Sequence, residues 1–143
     1  MTVGDKELTL LHLPGHTPDS IVGLVEKDHA LIAGDTVMQL PLVAYGSSDA
    51  LLSSLRSIKE FDAKVILQGH GGLCEKAKLD DDIEYLKKAR TIVAEGMAEG
   101  KTVEEVQAMP TEQFLPKEGI EKLGGHLQGT DPQGQFAENT PGT

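Results

Sequence analysis

The chain has 143 residues, 38% hydrophobic and 3% aromatic, and a formal net charge of −10. That length holds one domain, or one domain with a tail, and can bury roughly two thirds of its unfolded surface. The acidic balance argues against non-specific binding to nucleic acid or anionic membranes, both of which need basic surface; solubility is the ordinary reason for such a surface.

A single cysteine, Cys74, rules out an internal disulfide framework. The opening residues MTVGDKE carry no apolar h-region and no small-residue cleavage site, and no stretch approaches the roughly 20 apolar residues that cross a bilayer. A cytoplasmic protein with no membrane partner is the default expectation.

In chain order, Leu8 to Leu13 and Ile21 to Val25 are short aliphatic runs bounded by breakers and read as strands. Lys27-Asp28-His29 is a polar turn, and Ala30 to Ala33 is a third strand that makes a hairpin with the second. Met38 to Ser48 has no period and reads as a long loop. It leads into a helix capped by Ser48 or Asp49, with Leu51, Leu55, Ile58 and Phe61 on its apolar face. Lys64 to Leu67 is a fourth strand, followed at once by Gln68-Gly69-His70-Gly71-Gly72.

A longer helix is expected to begin near Asp80-Asp81-Asp82, whose charge suits the positive end of a helix dipole. Leu79, Ile83, Leu86 and Val93 mark its buried stripe, and it stops near Gly96 or Gly100. Thr102 with Glu105 is a capping-box pattern that predicts a short restart. Residues 1–110 form the expected domain, 111–127 an extension, and 128–143 a loose tail in which apolar periodicity has vanished.

Three segments share one layout, an apolar strand running into a loop that sets a His or Asp beside glycine. They end in Pro14-Gly15-His16, Gly34-Asp35 and Gly69-His70. A rigid sheet fixes the direction of groups at strand ends, and the neighbouring glycine permits close backbone approach. Each piece alone is an ordinary turn. Their ordered recurrence makes His16, Asp35 and His70 candidate ligands of a first-row metal, with zinc the leading choice and iron or manganese the others. His29 and His126 are expected at the surface. Cys74, four residues after His70, is a soft donor close enough to be considered and more simply a passive thiol.

The run LLHLPGHTPDSIVGLVEKDHALIAGDTV, followed by DAKVILQGHGG, resembles the metallo-β-lactamase superfamily of metal-dependent hydrolases. The resemblance covers residues 5 to about 107 and includes YLKKARTIVAEGMAEGKTVEEV, which is similar to the C-terminal helices of the superfamily's stand-alone hydrolases. It implies that His16 binds one metal, that Asp35 bridges two, and that His70 binds the second. His12 matches a position that is often His without being a ligand. The fold implied is α+β: half of a four-layer αββα sandwich, a mixed sheet with helices on one face.

The family's His-x-His-x-Asp-His run, which supplies the other ligands and the water-activating aspartate, is absent from this sequence. The resemblance therefore implies the C-terminal half of a hydrolase of the ester, thioester or lactam class, incomplete as an isolated catalyst. Another polypeptide or a symmetry mate would complete it, and Thr17 and Asp19 would shape the His16 loop. The complete fold would hold up to two ions, whereas three donors could hold one zinc loosely at most. A non-catalytic dimeric metal-binding or interaction module of the same descent is the alternative. Because large apolar patches do not stay exposed, either reading predicts a homodimer or a partner chain over the open sheet face. A small-molecule substrate is expected if the chain is active. The substrate itself is not legible; within the chain only the Met38 to Ser48 loop is placed to touch one.

Overall fold

The computed structural model, which describes residues 1–109, opens with a short hairpin of β1 (Thr2–Val3) and β2 (Lys6–Glu7). Two residues per strand are too few to show a period, so this polar segment gives no sign of pairing in the sequence. β3 (Thr9–His12), β4 (Ile21–Val25) and β5 (Ala30–Gly34) follow as an antiparallel meander. A single 3-10 turn, Glu26–Asp28, closes the expected β4–β5 hairpin, with His29 in the left-handed conformation at φ 49°.

β6 (Val65–Gln68) pairs with β5 in parallel, a geometry that needs a long crossover. That crossover is the loop after β5 and then α1 (Ser48–Glu60). The side chain of Ser47 accepts the Ala50 amide at 3.1 Å, so the cap is Ser47 and not the expected Ser48 or Asp49. Three adjacent polar residues can all cap, and only backbone geometry chooses among them. β7 (Leu73–Cys74), not expected from sequence, ends the five-stranded sheet in the order β3-β4-β5-β6-β7.

α2 (Ala77–Ala98) begins three residues before the acidic triplet. Leu79, Ile83 and Leu86 are buried as expected, but Val93 is exposed. A 22-residue helix is about 33 Å long against about 20 Å for the 13 residues of α1, so its second half runs past its packing partner. It stops where Gly100 takes φ 76° and donates its amide to Met97. α3 (Val103–Gln107) then starts on the expected capping box. The Thr102 amide donates to Glu105 Oε2 at 2.7 Å, and the Glu105 amide to Thr102 Oγ1 at 3.2 Å.

Both long helices lie on one face of the sheet. Val22, Leu24, Leu31, Ala33 and Ile66 from the strands close against Leu51, Leu52, Leu55 and Ile58 of α1 and Leu79, Ile83 and Leu86 of α2. Ion pairs of Lys59 with Asp80 and of Arg90 with Asp49 tie α1 to α2. The opposite face is bare among the described residues: Leu10, Gly23, Ile32, Leu67 and Leu73 lie in register across all five strands, and all but the glycine are exposed. Residues Met1–Gln107 make one compact unit. The extension, the tail and His126 lie outside the described residues. No described helix is long and apolar enough to cross a membrane.

Candidate functional site

Strand direction assembles the site. β4 runs antiparallel to both β3 and β5, so β3 and β5 point the same way, and β6 is parallel to β5. The chain therefore leaves all three strands at one edge of the sheet. The loops it enters there carry His16, Asp35 and His70, as open sheets commonly do at the carboxyl ends of their strands.

At that edge His16 Nε2 lies 3.7 Å from Asp35 Oδ2, and His70 Nε2 lies 3.6 Å from Asp35 Oδ1. Each imidazole faces its own carboxylate oxygen. Neither separation is a hydrogen bond. Two donors on one tetrahedral zinc, each about 2.0–2.2 Å from it, sit about 3.4 Å apart, so both gaps suit a shared cation. Among the described residues no three His, Cys, Asp or Glu side chains are already drawn into a closed cage. The arrangement is two imidazole–carboxylate pairs hinged on one aspartate, and its donors fit a zinc-type ion.

The two histidines are held differently. The side chain of His16 is 14% exposed and that of His70 77%. His16 Nδ1 lies 2.8 Å from the carbonyl of Leu42, which can only accept, so Nδ1 carries the proton and Nε2 presents its lone pair to Asp35. The His16 carbonyl accepts the amides of Ala44, Tyr45 and Gly46 at 3.0–3.1 Å. The Met38 to Ser48 loop, expected only to touch substrate, thus orients a candidate ligand. No sequence signal could have shown this, because the groups at work are backbone carbonyls and amides.

Backbone bonds also join the other two loops. The Gly69 amide donates to Gly34 at 2.8 Å and Val37 at 3.1 Å, and the Gln39 amide to His70 at 3.1 Å. Gln68 Nε2 bonds the Gly72 carbonyl at 3.1 Å, bracing the turn that carries His70. Within the His16 loop the Thr17 hydroxyl donates to Asp19 at 2.6 Å, holding that carboxyl below its ordinary range.

The remaining candidates lie apart. His12 bonds the Pro18 carbonyl at 2.7 Å, and His29 pairs with Asp62 at 2.9 Å. Cys74 packs against the core side of the sheet, where burial pushes its thiol pKa up, contrary to what a reactive or ligating thiol needs.

A sequence-family model, that of the metallo-beta-lactamase superfamily, matches residues 1–70. The chain is 30% identical over 96 residues to the beta-lactamase-like protein 2 homolog of Caenorhabditis elegans, a match covering 65% of this chain and 32% of that protein. It is 28% identical over 102 residues to an atrochrysone carboxyl ACP thioesterase of Aspergillus fumigatus, covering 71% and 23%. Among solved structures, the BLEG-1 B3 metallo-beta-lactamase superposes with a TM-score of 0.52 at 26% identity, over 60% of this chain and 44% of that one. A metallo-beta-lactamase family protein of Thermus thermophilus shares the fold with a TM-score of 0.61 at 21% identity, over 87% and 46%. The chain thus spans a third or less of these two curated relatives and under half of these two structures.

Proposed function

Because this chain belongs to the metallo-beta-lactamase superfamily, we propose that it supplies the C-terminal half of a metal-dependent hydrolase site, acting on an ester, thioester or lactam. The observation that carries this reading is the Asp35 carboxylate set between His16 and His70, one oxygen to each ring. The similarity to one protein named a thioesterase and another named beta-lactamase-like agrees with an acyl-transfer chemistry.

In this reading His16, Asp35 and His70 would hold the metal, the two imidazoles through the Nε2 atoms that face the Asp35 carboxylate. A bound zinc, or iron or manganese in its place, would supply Lewis acidity at the carbonyl and a water nucleophile at neutral pH. The Leu42 carbonyl keeps the His16 proton on Nδ1, so that Nε2 is available without a tautomer change. The Gly69 amide, bonded to Gly34 and Val37, keeps the His70 turn against the Asp35 turn. Three donors leave coordination incomplete, and the water-orienting carboxylate and remaining ligands would come from outside these residues.

The alternative is a metal-binding or interaction module of the same descent with no turnover.

Zinc titration by calorimetry, with metal analysis after dialysis, tests the proposal. Retained zinc that is lost in both His70→Ala and Asp35→Asn supports the metal site, and hydrolysis of an ester, thioester or lactam probe by the zinc-loaded chain supports the hydrolase. Zinc affinity unchanged in both variants refutes the site; zinc held with no turnover, even after a polypeptide carrying the remaining ligands is added, favours the module.

A further inference from the structure

We infer that the bare face of the five-stranded sheet is the contact between two copies of this chain, packed sheet to sheet about a two-fold axis. The inference goes beyond the metal site and does not depend on it. Leu10, Ile21, Ile32, Val65, Leu67 and Leu73 are 39–69% exposed on this face. β-Strands alternate their side chains between faces, so the register Leu10↔Gly23↔Ile32↔Leu67↔Leu73 puts one row on the bare side, while its neighbour Leu24↔Leu31↔Ile66↔Cys74 faces the helices.

These six side chains expose on the order of 600 Å² of apolar surface, the upper end of what a monomer leaves in one patch. Two such faces bury about 1,200 Å², the lower bound of a specific, stable interface. Area and self-complementarity point to a second copy as the occupant. The chain's formal net charge of −10 opposes association of identical copies in general, and this face is where two copies can approach with the least repulsion. No Lys, Arg, Asp or Glu of β3 to β7 falls on this face, and its one imidazole, His12 opposite Ile21 at the end of β3, is already bonded to the Pro18 carbonyl. Two identical faces therefore meet without a carboxylate, ammonium or guanidinium to desolvate. Twisted sheets with apolar inner faces pack about 10 Å apart with strands nearly aligned, and an isologous pairing uses the same patch twice.

Sedimentation equilibrium of the full chain at tens of micromolar is the test. The expected mass is twice the 15.3 kDa of one chain. Ile32→Asp and Leu67→Asp, separately, should each weaken the dimer about 100-fold, because each carries an unpaired charge into the interface. Far-UV circular dichroism should be unchanged, since both side chains point away from the helices. A wild-type chain that sediments at 15.3 kDa overturns the inference. So does a dimer whose dissociation constant neither variant moves. Should either variant fail to fold, the Leu73→Lys variant, on the short edge strand β7, repeats the test, and the wild-type mass is decisive by itself.

Discussion

A Cβ placed on Gly69 would lie 2.0 Å from Asp35 Oδ1, with the Gly34 carbonyl carbon 2.7 Å away and the Asp35 amide nitrogen 2.8 Å away. The carboxylate could swing aside, but the backbone atoms cannot, so the two turns touch only because this position is glycine. Gly69→Ala should therefore separate the Asp35 and His70 turns and lower zinc affinity about 10- to 100-fold, as the loss of a ligand's supporting contact does. Calorimetric zinc titration of the variant checks this; an affinity equal to wild type would show that the turns need not touch.

The two histidines should separate in their effect on stability. His70 is solvent-facing, whereas His16 is held by the Leu42 carbonyl and largely enclosed. Both alanine variants should lose zinc, but only His16→Ala should cost stability, about 1–2 kcal/mol, from the lost hydrogen bond and packing. Urea unfolding in chelator measures it. Equal midpoints for both variants would contradict the difference in support.

Gly15 stands against the start of α1, where a Cβ would come within 2.5 Å of Leu51 Cα. Gly15→Ala should push the His16 loop off the helix and destabilise the fold by about 1–3 kcal/mol. A thermal midpoint within a degree of wild type would mean that the loop and helix shift without cost.

Asp82 is buried on α2, with one oxygen on Lys78 at 2.6 Å and Oδ2 without a partner among the described residues. Burial dominates and pushes its pKa up to about 6. The folded state then binds a proton that the unfolded state releases near pH 4, so stability falls as pH rises from about 4 to 6, by about 2–3 kcal/mol from this group. Asp82→Asn should be more stable than wild type at pH 8, and the two should converge at pH 4. Denaturant curves at both values test the sign; a variant less stable at pH 8 would show that the Lys78 pairing outweighs desolvation.

The Ser47 side chain satisfies one free amide at the start of α1. Ser47→Ala should lower stability by about 1 kcal/mol, whereas Ser48→Ala should change it by less than half that. Comparing the two by urea unfolding would expose a cap assigned to the wrong serine.

Sequence alone reached the strands β3 to β6, both long helices and the capping box of α3, because aliphatic runs, helical spacing and Thr102 with Glu105 are local signals that burial reinforces. It also singled out His16, Asp35 and His70, each following a strand and next to glycine. It could not rank Ser47 above Ser48 and Asp49, and it placed Val93 in the core, because periodicity says which side of a helix is apolar but not how far its packing partner extends. β1, β2 and β7 have two residues each, too short for any period to declare them.

Tertiary structure alone decided that the three loops share an edge. Nothing local records that β6 joins β5 in parallel, yet that pairing sets the His70 turn beside the Asp35 turn. Nor does any residue type record that the loop after Met38 bends back, so that the Leu42 carbonyl fixes the His16 proton. Strand direction and backbone hydrogen bonds belong to the assembled chain, and both are carried by atoms that every residue has in common.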